Sequence, residues 1–214
     1  MKVFVVGAHG RIGNQLIGLL SQTNKHTVKA MVRKEEQTNG LQTLGIETAI
    51  INLEDSVEEI ANGAKGCDAI VFTAGSGGHT GADKTLLVDL DGAVKTIEAA
   101  EKAKIKRFIM VSALQAHRRE NWREAIKPYY VAKYYADKIL EQSNLTYTII
   151  RPGGLLDNKG TGHISAAVDI ASGTISREDV AKTIIASLEE GNTFYKAFDL
   201  VSGEIPITEA LKLI

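Results

Sequence analysis

One cysteine and three prolines in 214 residues set the first limits. Cys67 has no partner within the chain, so no internal disulfide holds the fold, and three prolines are too few for a Pro-rich linker. No apolar run approaches the roughly 18 residues that span a bilayer. An excess of charge of one sign is also missing: 25 Lys and Arg face 26 Asp and Glu, a formal net charge of −1. That balance carries no basic surplus for nucleic acid or an anionic membrane surface. The sequence has no internal repeat. Its first strand pattern starts at Lys2, which leaves no room for a signal peptide, and the chain reads as cytoplasmic. What remains is ordinary globular composition, 44% hydrophobic and 24% charged. The length fits one domain over 1–214, because cores divide only beyond about 250 to 300 residues.

Within that composition, short β-rich apolar runs alternate with helical patterns. The runs are VFVV near residue 3, TVKAMV from Thr27, IETAII from Ile46, AIVFTA from Ala69, RFIMVS from Arg107 and TYTIIR from Thr146. Near-continuous Val and Ile runs suit strands covered on both faces, and the alternation predicts an α/β fold, a Rossmann-like doubly wound parallel sheet. Helices are predicted around 12–22, 35–44, 56–64, 84–103 and 128–143, the fourth carried by Leu86, Leu90, Ala93, Ile97 and Ala100. After Pro152 the pattern changes. GGLLDNKGTGHIS reads as loop, SREDVAKTIIASLEE as a helix capped by Ser176 with Asp179 three residues on, and AFDLV from Ala197 as a short last strand. Residues 153–214 are therefore expected to be a small closing segment over the sheet's carboxyl edge.

Three glycines follow the first apolar run in GAHGRIG. Interior glycine costs a helix roughly 1 kcal/mol against alanine, so the spacing calls for another explanation. Between a strand and a helix, Gly7 permits a tight turn, Gly10 lets a pyrophosphate approach the backbone, and Gly13 lets helix and strand pack closely. The helix N-terminus then supplies donors and a positive dipole. The spacing is G-x-x-G-x-x-G rather than the usual G-x-G-x-x-G. At the end of the second strand stand Arg33 and Lys34. An acid there binds the free ribose hydroxyl of NAD, whereas arginine pairs with a 2′-phosphate, so NADP(H) is expected over NAD(H), with Arg11 as a second partner.

GAHGRIG, Arg33, the FTAG after the fourth strand, YYVAK on a later helix, RPGGL and ISREDVA together resemble an atypical short-chain dehydrogenase/reductase. The likeness is to the compact NAD(P)H-binding or NAD-dependent epimerase/dehydratase-like subgroup, akin to small flavin and biliverdin reductases, and covers nearly the whole chain. It implies cofactor contacts from Gly7, His9, Gly10, Arg11, Ile12, Gly13 and Arg33. Leu53 would lie against the adenine, Thr73, Ala74 and Gly75 after the fourth strand, and Lys133, Pro152 and Gly153 near the nicotinamide. Tyr129 and Lys133 have the Y-x-x-x-K spacing, four apart on one helix face. In that motif the lysine binds the nicotinamide ribose and lowers the tyrosine pKa, so that the phenol exchanges a proton with the substrate. Ser112 matches the serine that holds a substrate carbonyl. Asp89 stands where the family has asparagine, a departure from the usual relay, and lies nearer the apolar stripe than Asp91.

His79, His117 and His163 fall in carboxyl-edge loops, but their spacings match no zinc pattern and no metal is expected. Residues 76–83 read as a mobile wall of the cleft, and Trp122 as either a lid or packing. The expected activity is an NADPH-dependent oxidoreductase delivering hydride to a small carbonyl, quinone or flavin-like acceptor, acting as monomer or homodimer without nucleic-acid or membrane partners. The alternatives are a sugar-nucleotide epimerase or dehydratase, and a non-catalytic NADP(H) sensor.

Overall fold

The alternation inside the first strand shows how the layers form. In β1 (Lys2–Val6), Val3 and Val5 turn to one face and Phe4 and Val6 to the other, and all four are fully buried. A strand buried on both faces needs a helix layer on each. The computed structural model describes residues 1–23 and 25–214. One layer contains α1 (Arg11–Ser21) and α7 (Arg177–Ser187), and the other α3 (Val57–Ala64), α5 (Gly92–Lys102) and α6 (Lys127–Gln142). Between them lie β2 (Thr27–Val32), β3 (Glu47–Ile50), β4 (Ala69–Phe72), β5 (Arg107–Val111), β6 (Thr146–Pro152) and β10 (Lys196–Ser202). They run in the order β3-β2-β1-β4-β5-β6-β10, all parallel. This is a Rossmann-like sheet, and Phe4, Phe72, Phe108 and Phe198 form fully buried anchors on its two faces. Each such ring contributes about 2 to 3 kcal/mol by leaving water.

The far end of the sheet is held from beneath by one cation. Arg107, at the start of β5, donates to the carbonyls of Leu188, Ser187 and Thr146 and to the Thr148 hydroxyl. Burial pulls its guanidinium down to about 10.

Two departures from the sequence pattern bear on the site. The predicted helix over 84–103 begins as α4 (Ala82–Lys84), winds as a π-helix over Thr85–Asp91, and only then becomes α5. The wider i→i+5 winding turns Thr85 and Asp89 inward and leaves Leu86, expected in the core, 56% exposed. The second departure is the region after 153, which extends the same sheet as well as flanking its carboxyl edge. β8 (His163–Ala167) pairs antiparallel with β10, β11 (Ile205–Pro206) pairs with β8, and β7 (Gly154–Leu156) and β9 (Thr174–Ser176) make a small parallel pair. β8 was hidden in the sequence because HISAA carries a single large apolar residue, Ile164, and strand formation there depends on its neighbour more than on propensity. AFDLV is the middle of β10, an internal strand rather than a short terminal one.

Candidate active site

β2 follows β1 on one side and β4 lies on the other, so the chain reverses its order at the carboxyl end of β1, the place where open α/β sheets form a ligand crevice. Two glycines make that place. Gly7 has φ +88, and a Cβ on it would sit 2.6 Å from the Ala74 nitrogen; a Cβ on Gly13 would sit 2.2 Å from the Gly7 carbonyl oxygen. The turn after β1, the end of β4 and the first turn of α1 therefore close on one another through bare backbone, and the Thr73 hydroxyl joins them by donating to the Val6 carbonyl at 3.0 Å.

The end of α1 that this junction presents is set up for an anion. Gly10 is its N-cap without any side-chain hydrogen bond, no acid lies in the first turn, and Arg11 is there instead. Two other helices are finished differently: α3 and α7 are capped by Ser56 and Ser176 and carry Glu58 and Glu59, or Glu178 and Asp179, in the first turn. Those acids complement the dipole of their helices, whereas the α1 dipole and N–H groups are left for a ligand. A dinucleotide pyrophosphate fits this end.

The other expected cofactor residues distribute unevenly. His9, Gly10 and Arg11 are exposed at the rim, and Ile12 is buried beneath them. Arg33 and Lys34 are exposed at the end of β2. Their backbone N–H groups are held by the Gln37 side chain, and neither side chain makes an ion pair among the described residues. Arg11, also exposed, pairs with Asp157 at 3.1 Å, and Asp157 also pairs with Arg177 at 2.6 Å. Leu53 is packed into the core against Gly92. Ala74 and Gly75 border the crevice after β4. Pro152 ends β6 and accepts from the Leu114 N–H, while the Gly153 N–H donates to Leu200.

On α6, Tyr129 and Lys133 lie one turn apart, and Lys133 Nζ is 5.6 Å from the Tyr129 ring centre. Lys133 is 3% exposed, with Nζ 3.2 Å from Asp89 Oδ1 and 3.4 Å from the Val111 carbonyl oxygen. Asp89 Oδ2 accepts from the Ser76 N–H at 3.0 Å, which ties the start of the 76–83 loop to the same carboxylate. Asp91, by contrast, faces outward and pairs with Lys95. Burial alone lowers the Lys133 ammonium, but the Tyr129 oxygen and the Asp89 carboxylate outweigh it and hold it above its ordinary value. Tyr129 moves up, because desolvation outweighs the cation beside it. Lys133 does pull the phenol down, as the Y-x-x-x-K motif implies, but burial outweighs that pull and the nearby Asp89 carboxylate opposes it. Ser112 is 3% exposed, its hydroxyl lacks an aligned partner, and its polar neighbour is Asp137, one turn further along α6 than Lys133. It is enclosed to the same degree as Lys133.

A second polar group was missed. Gln115 Nε2 lies 2.5 Å from Asp169 Oδ1, 3.2 Å from Asp199 Oδ2 and 2.8 Å from the Ile170 carbonyl, and Gln115 Oε1 accepts from Asn121. This amide joins the 113–127 and 168–170 walls of the crevice. His117, Asp169 and Asp199 offer ligand atoms within 4.8 Å of one another, with the Gln115 amide between the two carboxylates and Arg118 paired with Asp169. His117 sits 3.9 Å from Asp199, both ring nitrogens are buried without partners, and desolvation followed by Arg151 lowers its pKa. His79 and His163 are exposed. Trp122 packs: it stacks on Tyr130 at 6.1 Å, meets Tyr134 edge-on, and donates to the Ala116 carbonyl, pinning its loop to α6. The signals available in the sequence were Asp199 and Arg151, charged residues inside apolar strand runs and neighbours in register.

The family described as NAD(P)H-binding matches residues 7–191. A Bacillus subtilis (strain 168) protein described as an uncharacterized sugar epimerase, YhfK, is 68% identical over 99% of both chains. A solved Bacillus halodurans structure described as an NAD-dependent epimerase/dehydratase superimposes with TM-score 0.94 at 40% identity over 100% of both chains. The oxidoreductase ylbE of Lactococcus lactis superimposes with TM-score 0.90 at 36% identity, over 100% of this chain and 96% of its own. Among the described residues no helix is long and apolar enough to cross a membrane.

Gly13→Ala must push the Gly7 carbonyl away and reopen the junction. The expected outcome is a loss of about 2 kcal/mol or more in chemical denaturation, together with weakened NADPH binding in calorimetry. A variant of unchanged stability and affinity contradicts this packing.

Proposed function

The chain belongs to the NAD(P)H-binding family, and from that premise we propose that it is an NADPH-dependent reductase of a small carbonyl, quinone or flavin-like acceptor. The observation that carries the proposal is Lys133, a buried ammonium held between Asp89 and the Val111 carbonyl beside Tyr129. A buried charge of this kind is costly to keep unless a site uses it, and it stands at the carboxyl edge where the family binds its cofactor. The bare α1 N-terminus supports placing the pyrophosphate on Gly10 to Gly13, Arg33 supports a 2′-phosphate, and Lys133 supports the nicotinamide ribose. When bound, the reduced nicotinamide supplies the hydride. Tyr129 then gives its phenolic proton to the acceptor oxygen: its O–H bond breaks as the acceptor's forms. Solvent then reprotonates the phenolate.

A sugar nucleotide asks for a different site. Its diphosphate needs converging cations, and those after Pro152 are dispersed: Arg177 is held by Asp157 and the Leu155 carbonyl, and Lys182 by Glu178. A small, loop-walled acceptor pocket is the better match.

Two outcomes are expected. NADPH binds more tightly than NADH by about 1.5 to 3 kcal/mol, the worth of a charged hydrogen bond, and Arg33→Ala erases most of the difference. Equal calorimetric affinities in the wild type refute this preference. Tyr129→Phe lowers carbonyl turnover by roughly 10² to 10⁴ with NADPH affinity nearly unchanged. Full turnover in that variant removes Tyr129 from the chemistry.

A further inference from the structure

We propose that Asp89 is a positioning residue that cancels the charge of Lys133, keeps Tyr129 a neutral phenol well above neutral pH, and thereby sets the alkaline limit of reduction. The inference rests on Tyr129 as the proton donor. Its geometric basis is independent of any ligand. Asp89 and Lys133 are 1% and 3% exposed, lie 3.2 Å apart, and are cut off from the screening that water would give them. Lys133 Nζ lies 5.6 Å from the Tyr129 ring, close enough for an unpaired ammonium to favour the phenolate strongly. Paired with Asp89, it presents Tyr129 with a dipole instead of a charge.

The other groups facing the pair do not restore a net cation. Asp137 lies on the same helix, and its charge is taken by Arg151 at 2.8 Å. Tyr130 is neutral, packed on Trp122 and edge-on to Tyr129 at 6.1 Å. The π-wound turn is what brings Asp89 into this position, and the Ser76 N–H on Oδ2 holds its carboxylate with Oδ1 toward Lys133. Desolvation of Tyr129 acts in the same direction. The consequence is a donor that stays loaded with its proton over the neutral and mildly alkaline range, so that reduction does not fall there.

The test reads Tyr129 directly in the protein without nucleotide, by NMR of ¹³Cζ-labelled tyrosine, with its signal among the six tyrosines assigned by Tyr129→Phe. In the wild type the Tyr129 signal is expected to keep its neutral-phenol position through about pH 10, the ordinary tyrosine midpoint. Asp89→Asn lowers the midpoint by at least about one pH unit. Asp89→Glu restores it toward the wild type, and the alkaline limb of carbonyl reduction in each variant moves with it. Lys133→Met moves the midpoint further up, and combining it with Asp89→Asn brings it back toward the wild type. That arm decides the matter should Asp89→Asn alone fail to fold. A midpoint in folded Asp89→Asn no lower than the wild type, or Lys133→Met no higher than its double variant, overturns the proposal. Coupled midpoints with full carbonyl turnover in Tyr129→Phe defeat the proton-donor reading while leaving the electrostatic pairing intact.

Discussion

The approach of three backbone segments at the end of β1 is the constraint on which the rest depends. Gly7 turns against Ala74, and Gly13 brings α1 against the Gly7 carbonyl. Because these contacts exclude side chains, α1 starts immediately over the crevice between β1 and β4, and its first N–H groups point there without a capping side chain. Every other element of the site is placed relative to this junction. β4 delivers Thr73 to Gly75 into it, and β5 and α6 bring the buried polar groups along the next strand. The β6 and β10 ends carry the walls beyond.

The second organising feature is charge kept inside the α6 layer. Asp89 pairs with Lys133, Asp137 with Arg151, and Asp199 lies next to Arg151 in the sheet register. Buried ions of this kind stabilise little against well-packed apolar residues, since desolvation offsets most of their attraction. They gather where the π-wound turn, the middle of α6 and the β6 and β10 strands meet. The walls share this economy of partners: one Gln115 amide fastens two loops, and one Trp122 indole fastens a third segment to α6.

Much of this was legible in the residues. The VFVV and AIVF runs, buried on both faces, announced the parallel sheet, and GAHGRIG between strand and helix announced the crevice. Tyr129 and Lys133 were legible as a pair because helix spacing carries position. Features that depend on partners distant in sequence were not legible. HISAA forms a strand only because β10 offers an edge, and the π-winding that exposes Leu86 and turns Asp89 inward breaks the regular period on which helix patterns rest. Nor was the enclosure of the Ser112 hydroxyl beside Asp137 legible. Nor was the exposed ion pair of Arg11 with Asp157, nearly 150 residues on. Asp199 was a signal that an apolar pattern search passes over.

The most direct measurement is a crystal structure with NADPH bound. The account predicts pyrophosphate oxygens within about 2.7 to 3.2 Å of the backbone N–H groups that open α1. It also predicts the 2′-phosphate on Arg33 and the nicotinamide ribose at Lys133. A dinucleotide bound away from the Gly7–Gly13 junction, with the start of α1 left to solvent, would contradict it.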